Sequence, residues 1–317
     1  MIKKIIDPIS IDNLEKELNK NTFIRKTNYS NHDIYIIDFH SQPNATLEIG
    51  RLREISFRNA GGGTGKPYDL DEYDQREEAY YKQLLVWDPE EKQIIGGYRF
   101  LLGVDIINSK KYHKTATNNL FDFNKEFSNE ILPKTIELGR SFVQPAYQPS
   151  SGNRKSIFSL DNLWDGLGAL VVKYPDVQYF FGKVTMYLDF NKKGRDLILG
   201  FINHFFPNKE NWIKAKKPLK PHYEIKQFLK EIEVLDYKDA YKTLIKNLKE
   251  LDCSLPPLIG AYMNLSSTMR SFGTAMNNKF GEVEETGILI SIKDIYPEKK
   301  DRHIDSYLKE LKNYENK

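Results

Sequence analysis

Apolar and polar positions alternate over Asp33-Ile-Tyr-Ile-Ile-Asp-Phe39, a stretch rich in β-formers, and predict a strand. From Ala45 to Asn59 the period changes. Leu47, Ile49, Leu52, Ile55 and Ser56 fall at helical spacing, which predicts an amphipathic helix ended by Gly61-Gly-Gly-Thr-Gly-Lys-Pro67. An acid-rich loop, Tyr68 to Asp74, leads to a predicted hairpin, with strands over 82–87 and 93–102 around the turn at Asp88-Pro-Glu-Glu-Lys92. Residues 103–133 read as irregular, with Asn- and Lys-rich turns. A strand then runs over 135–143 and a long loop over 144–156. A helix capped by Ser159 or Asp161 reaches Lys173, with Leu163, Leu167, Leu170 and Val171 on one face. A strand over 177–186 and a helix capped by Asp189 or Asn191 follow, the helix ending near Phe206. Beyond it come a basic linker, a helix over 239–251, a short helical entry at Leu255 to Met263, a strand over 287–292 and a terminal helix over 304–314. Alternating strands and helices of this kind predict a mixed α/β fold with a sheet covered by helices.

Composition narrows the class. A chain of 317 residues, 40% hydrophobic and 29% charged, can bury a real core. A net charge of +3 is too mild to imply nucleic acid. The basic excess gathers in Lys209 to Lys220, which suits a solvated face, an acidic partner or an anionic membrane surface. With Cys253 as the one cysteine, no disulfide framework forms and a reducing compartment is expected. No signal-peptide core stands at the N-terminus and no apolar run reaches the ~20 residues of a membrane span. The expected location is therefore cytoplasmic, at most peripheral to the inner membrane.

Several motifs fail on inspection. Gly61 to Lys66 has Ala60 and Pro67 where a phosphate loop needs Gly and Ser or Thr, and it follows a helix; its glycines suit a mobile lid. Counted from Asp69, a calcium loop would need Gly and Glu where Asp74 and Tyr80 stand. The six histidines show no metal-ligand spacing, so no metal is expected. Gly-x-Ser-x-Gly is absent, and Cys253 has no base beside it.

The chemistry concentrates in Ile136-Glu137-Leu138-Gly139-Arg140-Ser141-Phe142-Val143, a buried-looking strand carrying two charges. Strand alternation puts Glu137 and Gly139 on one face, and Leu138 and Arg140 on the other. Glu137 and Arg140 then each need a separate partner, since an unpaired buried charge is costly. Arg99 suits one of the acids, and Asp71 and Asp74 suit Arg53, Arg99, Arg140 or a substrate ammonium. Taken alone, these charges read first as an ion-pair network fixing strand register.

The order Arg53-Glu-Ile-Ser-Phe57, Asp69-Leu-Asp-Glu-Tyr-Asp74, Leu84-Leu-Val-Trp-Asp88, Gly97-Tyr-Arg-Phe100 and Glu137-Leu-Gly-Arg140 resembles the ornithine- and glycine-lipid type of bacterial N-acyltransferase. That group, also labelled hemolysins, is a branch of the GNAT-like acyltransferases and is distantly similar to the acyl-homoserine-lactone synthases. Leu255-Pro-Pro-Leu-Ile-Gly-Ala-Tyr262, Lys279-Phe-Gly281 and Gly287-Ile-Leu-Ile290 resemble its C-terminal segment, so the likeness covers residues 45 to 300. It departs at Tyr81-Lys-Gln83, where the family carries Cys-Asp-His, and no role is expected there.

The resemblance implies a GNAT-like, mostly antiparallel central sheet flanked by helices. It implies a lead-in over 1–30, an acyltransferase core over 31–207 and a helical C-terminal extension with one strand over 208–317. It implies Glu137, Arg140 and Arg99 as catalytic residues, with Glu137 as general base. Arg53, Phe57, Asp71, Asp74, Phe142 and Val143 are implied at the substrates, the last two through backbone N–H groups facing the thioester. Arg99 or Arg140 would hold an amino-acid carboxylate. The pyrophosphate loop usual in GNAT enzymes is not evident after Val143. That fits an acyl-phosphopantetheine co-substrate on acyl carrier protein, met by Arg154, Lys155 and the Lys209–Lys220 run. No bound cofactor is expected. The leading expectation is transfer of a 3-hydroxyfatty acyl chain to the α-amine of ornithine or glycine, giving a lyso-aminolipid. An acyl-CoA-dependent enzyme acting on another small amine, and a non-enzymatic membrane-active protein, are the competing expectations.

Overall fold

The computed structural model describes residues 2–152 and 154–315, except the side chains of residues 154, 155, 314 and 315. Its strands are, in chain order, β1 (Phe23–Lys26), β2 (Asp33–Ile37), β3 (Lys82–Asp88), β4 (Gln93–Leu102), β5 (Phe121–Phe123), β6 (Thr135–Val143), β7 (Tyr179–Met186), β8 (Ile213–Ala215), β9 (Arg270–Asn277) and β10 (Val283–Ser291). The helices of the first half are α1 (Ile11–Glu17), α2 (Pro43–Asn59), α3 (Glu72–Gln75), α4 (Gly103–Asn108) and α5 (Ser159–Lys173). Those of the second half are α6 (Lys192–Phe205), α7 (Lys226–Glu233), α8 (Tyr237–Glu250), α9 (Pro257–Met263), α10 (Pro297–Lys300) and α11 (Ser306–Glu315). The pairings β1–β2, β2–β3, β3–β4, β4–β6, β7–β10, β9–β10 and β5–β8 are antiparallel.

The chain divides into two compact units. The first holds residues 1–116, 133–178 and 296–317, the second 117–132 and 179–295. In the first, β1, β2, β3, β4 and β6 pair in that order. β3 and β4 are buried along nearly their whole length, so they read as apolar runs rather than alternating strands. Gly96 and Gly97 let β4 lie close between its neighbours: a Cβ on Gly96 would strike the Phe142 carbonyl, and one on Gly97 the Leu84 carbonyl. α2 opens with Pro43, and Glu17 caps it by accepting from the amides of Asn44 at 3.1 Å and Ala45 at 2.7 Å.

Buried Asp165 of α5 accepts from the Asn28 amide at 2.8 Å and lies 2.7 Å from His303 Nδ1. It thereby ties the C-terminal segment of the chain to the first unit. In the second unit β10 pairs with both β7 and β9, and β5 pairs with β8. Phe123, Phe127 and Phe181 pack edge-on there, with ring centroids 4.9 to 5.6 Å apart. Asn191, one of the two predicted caps, accepts from the Gly194 amide at 3.0 Å.

Three expectations change. Past residue 208 there are three strands rather than one, because β8 is only three residues long and β9 mixes polar residues with Gly273. The 103–133 stretch is not wholly irregular, since it holds α4 and β5. The glycine loop is tied down rather than left as a lid. Buried Glu54 accepts from Thr64 N at 3.0 Å, Thr64 Oγ1 at 2.8 Å and Gly65 N at 2.7 Å. With positive φ at Gly61, Gly63 and Gly65, the turn wraps its amides around a carboxylate of the chain itself.

Candidate functional site

All the implied site residues from Arg53 to Val143 lie in the first unit. β6 carries both Glu137 and Arg140, but not with plain alternation. Gly139 pairs with Arg99 and Phe142 with Gly97, so Arg140 and Ser141 together stand opposite the single residue Tyr98. This is a β-bulge, and Arg140 occupies it with φ +52° in the left-handed region. Leu101 pairs with Glu137 and Arg99 with Gly139, so Arg99 shares the face of Glu137. The bulge turns Arg140 to that face as well: its Nη2 lies 3.9 Å from Asp71 Oδ2, the atom to which Arg99 Nη1 donates at 2.9 Å. The expectation that Glu137 and Arg140 face opposite ways is therefore corrected. One extra residue resets the period.

Three guanidinium groups and three carboxylates interlock on this face. Arg53, on the buried side of α2, lies with Nε 3.1 Å from Asp69 Oδ2 and Nη2 3.3 Å from Asp74 Oδ2. Its Nη2 also donates to the Asp69 carbonyl, and its Nη1 to Gln83 Oε1 at 3.1 Å. Gln83 of β3 completes the link by donating to Asp74 Oδ1 at 2.9 Å. Arg99 Nη1 donates to Asp71 at 2.9 Å and to Asp74 at 3.1 Å. Arg140 Nε donates to Asp69 Oδ2 at 2.8 Å. The aspartates are placed by a capping box at α3: Asp71 accepts from Tyr73 N, and Asp74 accepts from Asp71 N.

Burial alone would push Asp71 up, but Arg99 and Arg140 beside it outweigh that and hold its carboxyl well below the usual range. Burial likewise opposes the charge on Arg99, and Asp71 and Asp74 overcome it, so its guanidinium stays firmly protonated. Most of the network is sealed; Asp71, 27% exposed, and Arg140, 15% exposed, form its open edge.

Glu137 is buried and accepts from the Tyr81 hydroxyl at 2.5 Å. The same hydroxyl accepts from Ala116 N at 3.1 Å, and the Tyr81 ring lies under the Arg99 guanidinium, 4.6 Å from its centre. Burial, then the Glu137 charge, pushes the Tyr81 phenol well above its ordinary value, so it is a donor throughout the physiological range.

The structure thus brings Arg53, Asp71, Asp74, Arg99 and Arg140 into one network, with Glu137 held beside it through Tyr81. Phe57 is a buried residue of α2 whose carbonyl accepts from Ala60 N and Gly62 N as the helix ends. Phe142 and Val143 sit at the end of β6 opposite Gly97 and Gly96, and Gln148 donates to the Val143 carbonyl at 2.7 Å. The side chains of Arg154 and Lys155 lie outside the described residues. In the second unit, Lys216 of the basic run donates to the Asn118 carbonyl and lies 3.7 Å from Asp122.

Three site residues were missed by the sequence reading: Asp69, Tyr81 and Gln83. Asp69, not Asp71 or Asp74, is the near partner of Arg140. Alternation on β3 held a signal for the other two, since residues 81, 83 and 85 share a face and Gln83 pairs with Arg99. Among the described residues, no group of three or more His, Cys, Asp or Glu side chains is arranged to hold a metal ion.

An acetyltransferase (GNAT) domain family matches residues 52–155. The chain is 49% identical, over 312 residues, to a glycine N(alpha)-acyltransferase of Phocaeicola vulgatus, covering 98% of this chain and 95% of that protein. It is 48% identical, over 309 residues, to a glycine N(alpha)-acyltransferase of Bacteroides thetaiotaomicron, covering 97% of this chain and 91% of that protein. Among solved structures it is similar to a CoA-dependent acyl-homoserine lactone synthase with SAM and isopentyl-CoA, at 11% identity and a TM-score of 0.37, covering 85% of this chain and 86% of that one.

Proposed function

The chain belongs to the glycine N(alpha)-acyltransferase family, acyltransferases with a GNAT domain, and from that premise we propose that it moves a 3-hydroxyfatty acyl chain from acyl carrier protein to the α-amine of glycine, forming a lyso-aminolipid. Of the two acceptors that the sequence suggested, glycine is favoured over ornithine by the names of the two relatives. The observation that carries the catalytic assignment is the buried Glu137 carboxylate, held by Tyr81 beside a charge-balanced arginine–aspartate network.

The chemistry is an acyl transfer. The amine nitrogen attacks the thioester carbonyl carbon, the C–N bond forms and the C–S bond breaks. The thiolate leaves with the bonding electrons. Glu137 takes the proton that the nitrogen sheds and returns it to the thiolate. Backbone N–H groups near Phe142 and Val143 stabilise the developing oxyanion. Arg53, Asp69, Asp74 and Gln83 fix the frame, while Asp71 and Arg140 present its open edge to the substrates. The carrier protein is acidic, and Arg154, Lys155 and the Lys209–Lys220 run would dock it. The absence of a pyrophosphate loop after Val143 favours a phosphopantetheine donor without a nucleotide. No helix among the described residues is long and apolar enough to cross a membrane.

The test is an assay with purified protein, acyl carrier protein loaded with a 3-hydroxyacyl chain, and glycine, read by lipid mass spectrometry. A new N-acylglycine mass is expected, together with a fall of about 10²–10⁴-fold for Glu137→Gln. Full activity in Glu137→Gln would remove Glu137 as the base. Activity with acyl-CoA and none with the carrier protein would overturn the donor.

A further inference from the structure

A cleft of about 610 Å³ opens in the first unit between α3 and residues 111–114. Nothing above assigns it a role, yet its inner wall is the outer wall of the Glu137 site. Tyr73 lines the cleft and meets Tyr81 edge-on, with centroids 6.2 Å apart; Tyr81 in turn holds Glu137. Tyr81 N donates to the Tyr73 carbonyl at 2.9 Å, which fixes one wall to the other.

The lining is cationic and aromatic. Arg76 is buried with its guanidinium between the rings of Tyr73 and Tyr112, at 5.1 and 5.0 Å. Its Nε and Nη2 donate to the Ala79 carbonyl, and its Nη1 to the Lys114 carbonyl at 3.1 Å. That commits three of the five N–H groups of a guanidinium and leaves two. Its hydrogen bonds run to carbonyls, whereas Arg53, Arg99 and Arg140 bond to Asp69, Asp71 and Asp74. Lys111, His113 and Lys114 stand at the rim; Lys111 pairs with Glu77, and Glu72 is the acid of the lining.

The acceptor amino acid needs a fixed cation for its carboxylate, placed so that its amine reaches the base. Arg99 is sealed and its Nη1 is taken by two aspartates, while Arg140 is bonded to Asp69. We propose that this cleft is the acceptor site and that Arg76 anchors the carboxylate of the amino acid, with Lys114 and His113 at the mouth. The proposal rests on the acyl-transfer reading above and adds where the acceptor sits. Tyr73, whose ring lies under the Arg76 guanidinium, meets Tyr81, the residue that holds the base, so a ligand on Arg76 lies against the wall of the Glu137 site.

Glycinamide decides the matter, since it offers the same amine without the carboxylate. Steady-state kinetics of the full chain with loaded carrier protein should show wild type preferring glycine to glycinamide. Arg76→Gln should raise the KM for glycine about 10- to 100-fold, the worth of a charge-assisted hydrogen bond, and bring the preference towards one. The KM for the acyl donor should stay put. A folded Arg76→Gln that keeps the preference, or that raises the donor KM instead, overturns the acceptor site; the second outcome would assign the cleft to the donor phosphate. Arg76 also braces two backbone carbonyls, so a second variant guards the test. His113→Ala with Lys114→Ala removes side chains at the mouth and should weaken the preference about 2- to 5-fold at unchanged melting temperature. If Arg76→Gln fails to fold, an unchanged preference in this pair rejects the proposal and a weakened one sustains it. No acylation of glycine by wild type would instead sink the functional reading itself.

Discussion

Each unit buries an arginine among carboxylates, and the two clusters differ in one respect that matters. In the second unit Arg195 of α6 lies with Nη1 3.1 Å from Glu284 and Nε 2.8 Å from Asp196, all three about 1% exposed. Asp196 also accepts from the amides of His222 and Tyr223, at 2.7 and 2.8 Å, so the cluster pins a loop to a helix. These three are sealed and regular in backbone, Lys192 reaches Glu284 from the surface at 3.3 Å, and architecture explains the cluster. In the first unit the cluster around Arg53 is sealed at one end and open at the other. Its open end includes a bulge residue at positive φ, and a buried carboxylate held by a tyrosine stands beside it. Buried charge alone does not mark function. What sets the first cluster apart is the bulge residue at positive φ and the carboxylate held by a tyrosine beside it.

The largest effect should come from Arg53→Ala and Arg195→Ala. Each removes one buried cation, leaving Asp69 and Asp74 to Arg140 and Arg99, or Glu284 to Lys192, and should cost about 3–5 kcal/mol in chemical denaturation. The folded fraction separates the two: Arg195→Ala should keep wild-type turnover per folded molecule, and Arg53→Ala should not. Equal turnover losses would erase the distinction between the clusters.

Next comes Tyr81→Phe. It removes a hydrogen bond to a buried carboxylate, worth about 1.5–3 kcal/mol, while keeping the ring under Arg99. Stability should fall by that order in urea titrations, and kcat should fall at least tenfold with the donor KM nearly unchanged. A change in stability alone would make Tyr81 part of the architecture, like the Arg195 cluster.

Arg140→Gly should have a smaller effect on stability, because two terms oppose each other. Glycine relieves the positive φ, worth about 1 kcal/mol, and loses the bond to Asp69. The net loss of stability should be about 0.5–2 kcal/mol. Activity should fall at least tenfold, since this guanidinium is at the open edge. Unchanged activity would return Arg140 to a purely structural role.

How much of this was legible follows from range. The strand over 135–143, the hairpin and the helices at 43–59 and 159–173 are local patterns, and the chain folds them nearly where periodicity puts them. The mixed α/β class followed from their order, and the mostly antiparallel sheet from the family resemblance. The bulge was not legible: the residue at positive φ is Arg140, while the glycine that would have flagged a bulge stands one place earlier. Asp69, Tyr81 and Gln83 were missed because their importance comes from partners 16 to 71 residues away. Arg76 carries no motif at all; only the fold sets it between two tyrosines.

The finest test of the comparison is the pH dependence of the open edge. Asp71 is held below its ordinary carboxylate value in the folded state, because Arg99 and Arg140 outweigh its burial. In the unfolded chain it titrates near the ordinary aspartate value of 3.8. The unfolded state therefore binds more protons in the interval between the two values, and stability rises with pH across it. The contribution of Asp71 is complete above about pH 4 and is lost as pH falls below that. Denaturation of wild type and Asp71→Asn should thus show a constant stability gap from about pH 5 to 8, closing as the solution is acidified below about pH 4. A gap that stays open on acidification would mean that Asp71 is not coupled to Arg99 and Arg140. The open edge would then be separate from the sealed cluster behind it.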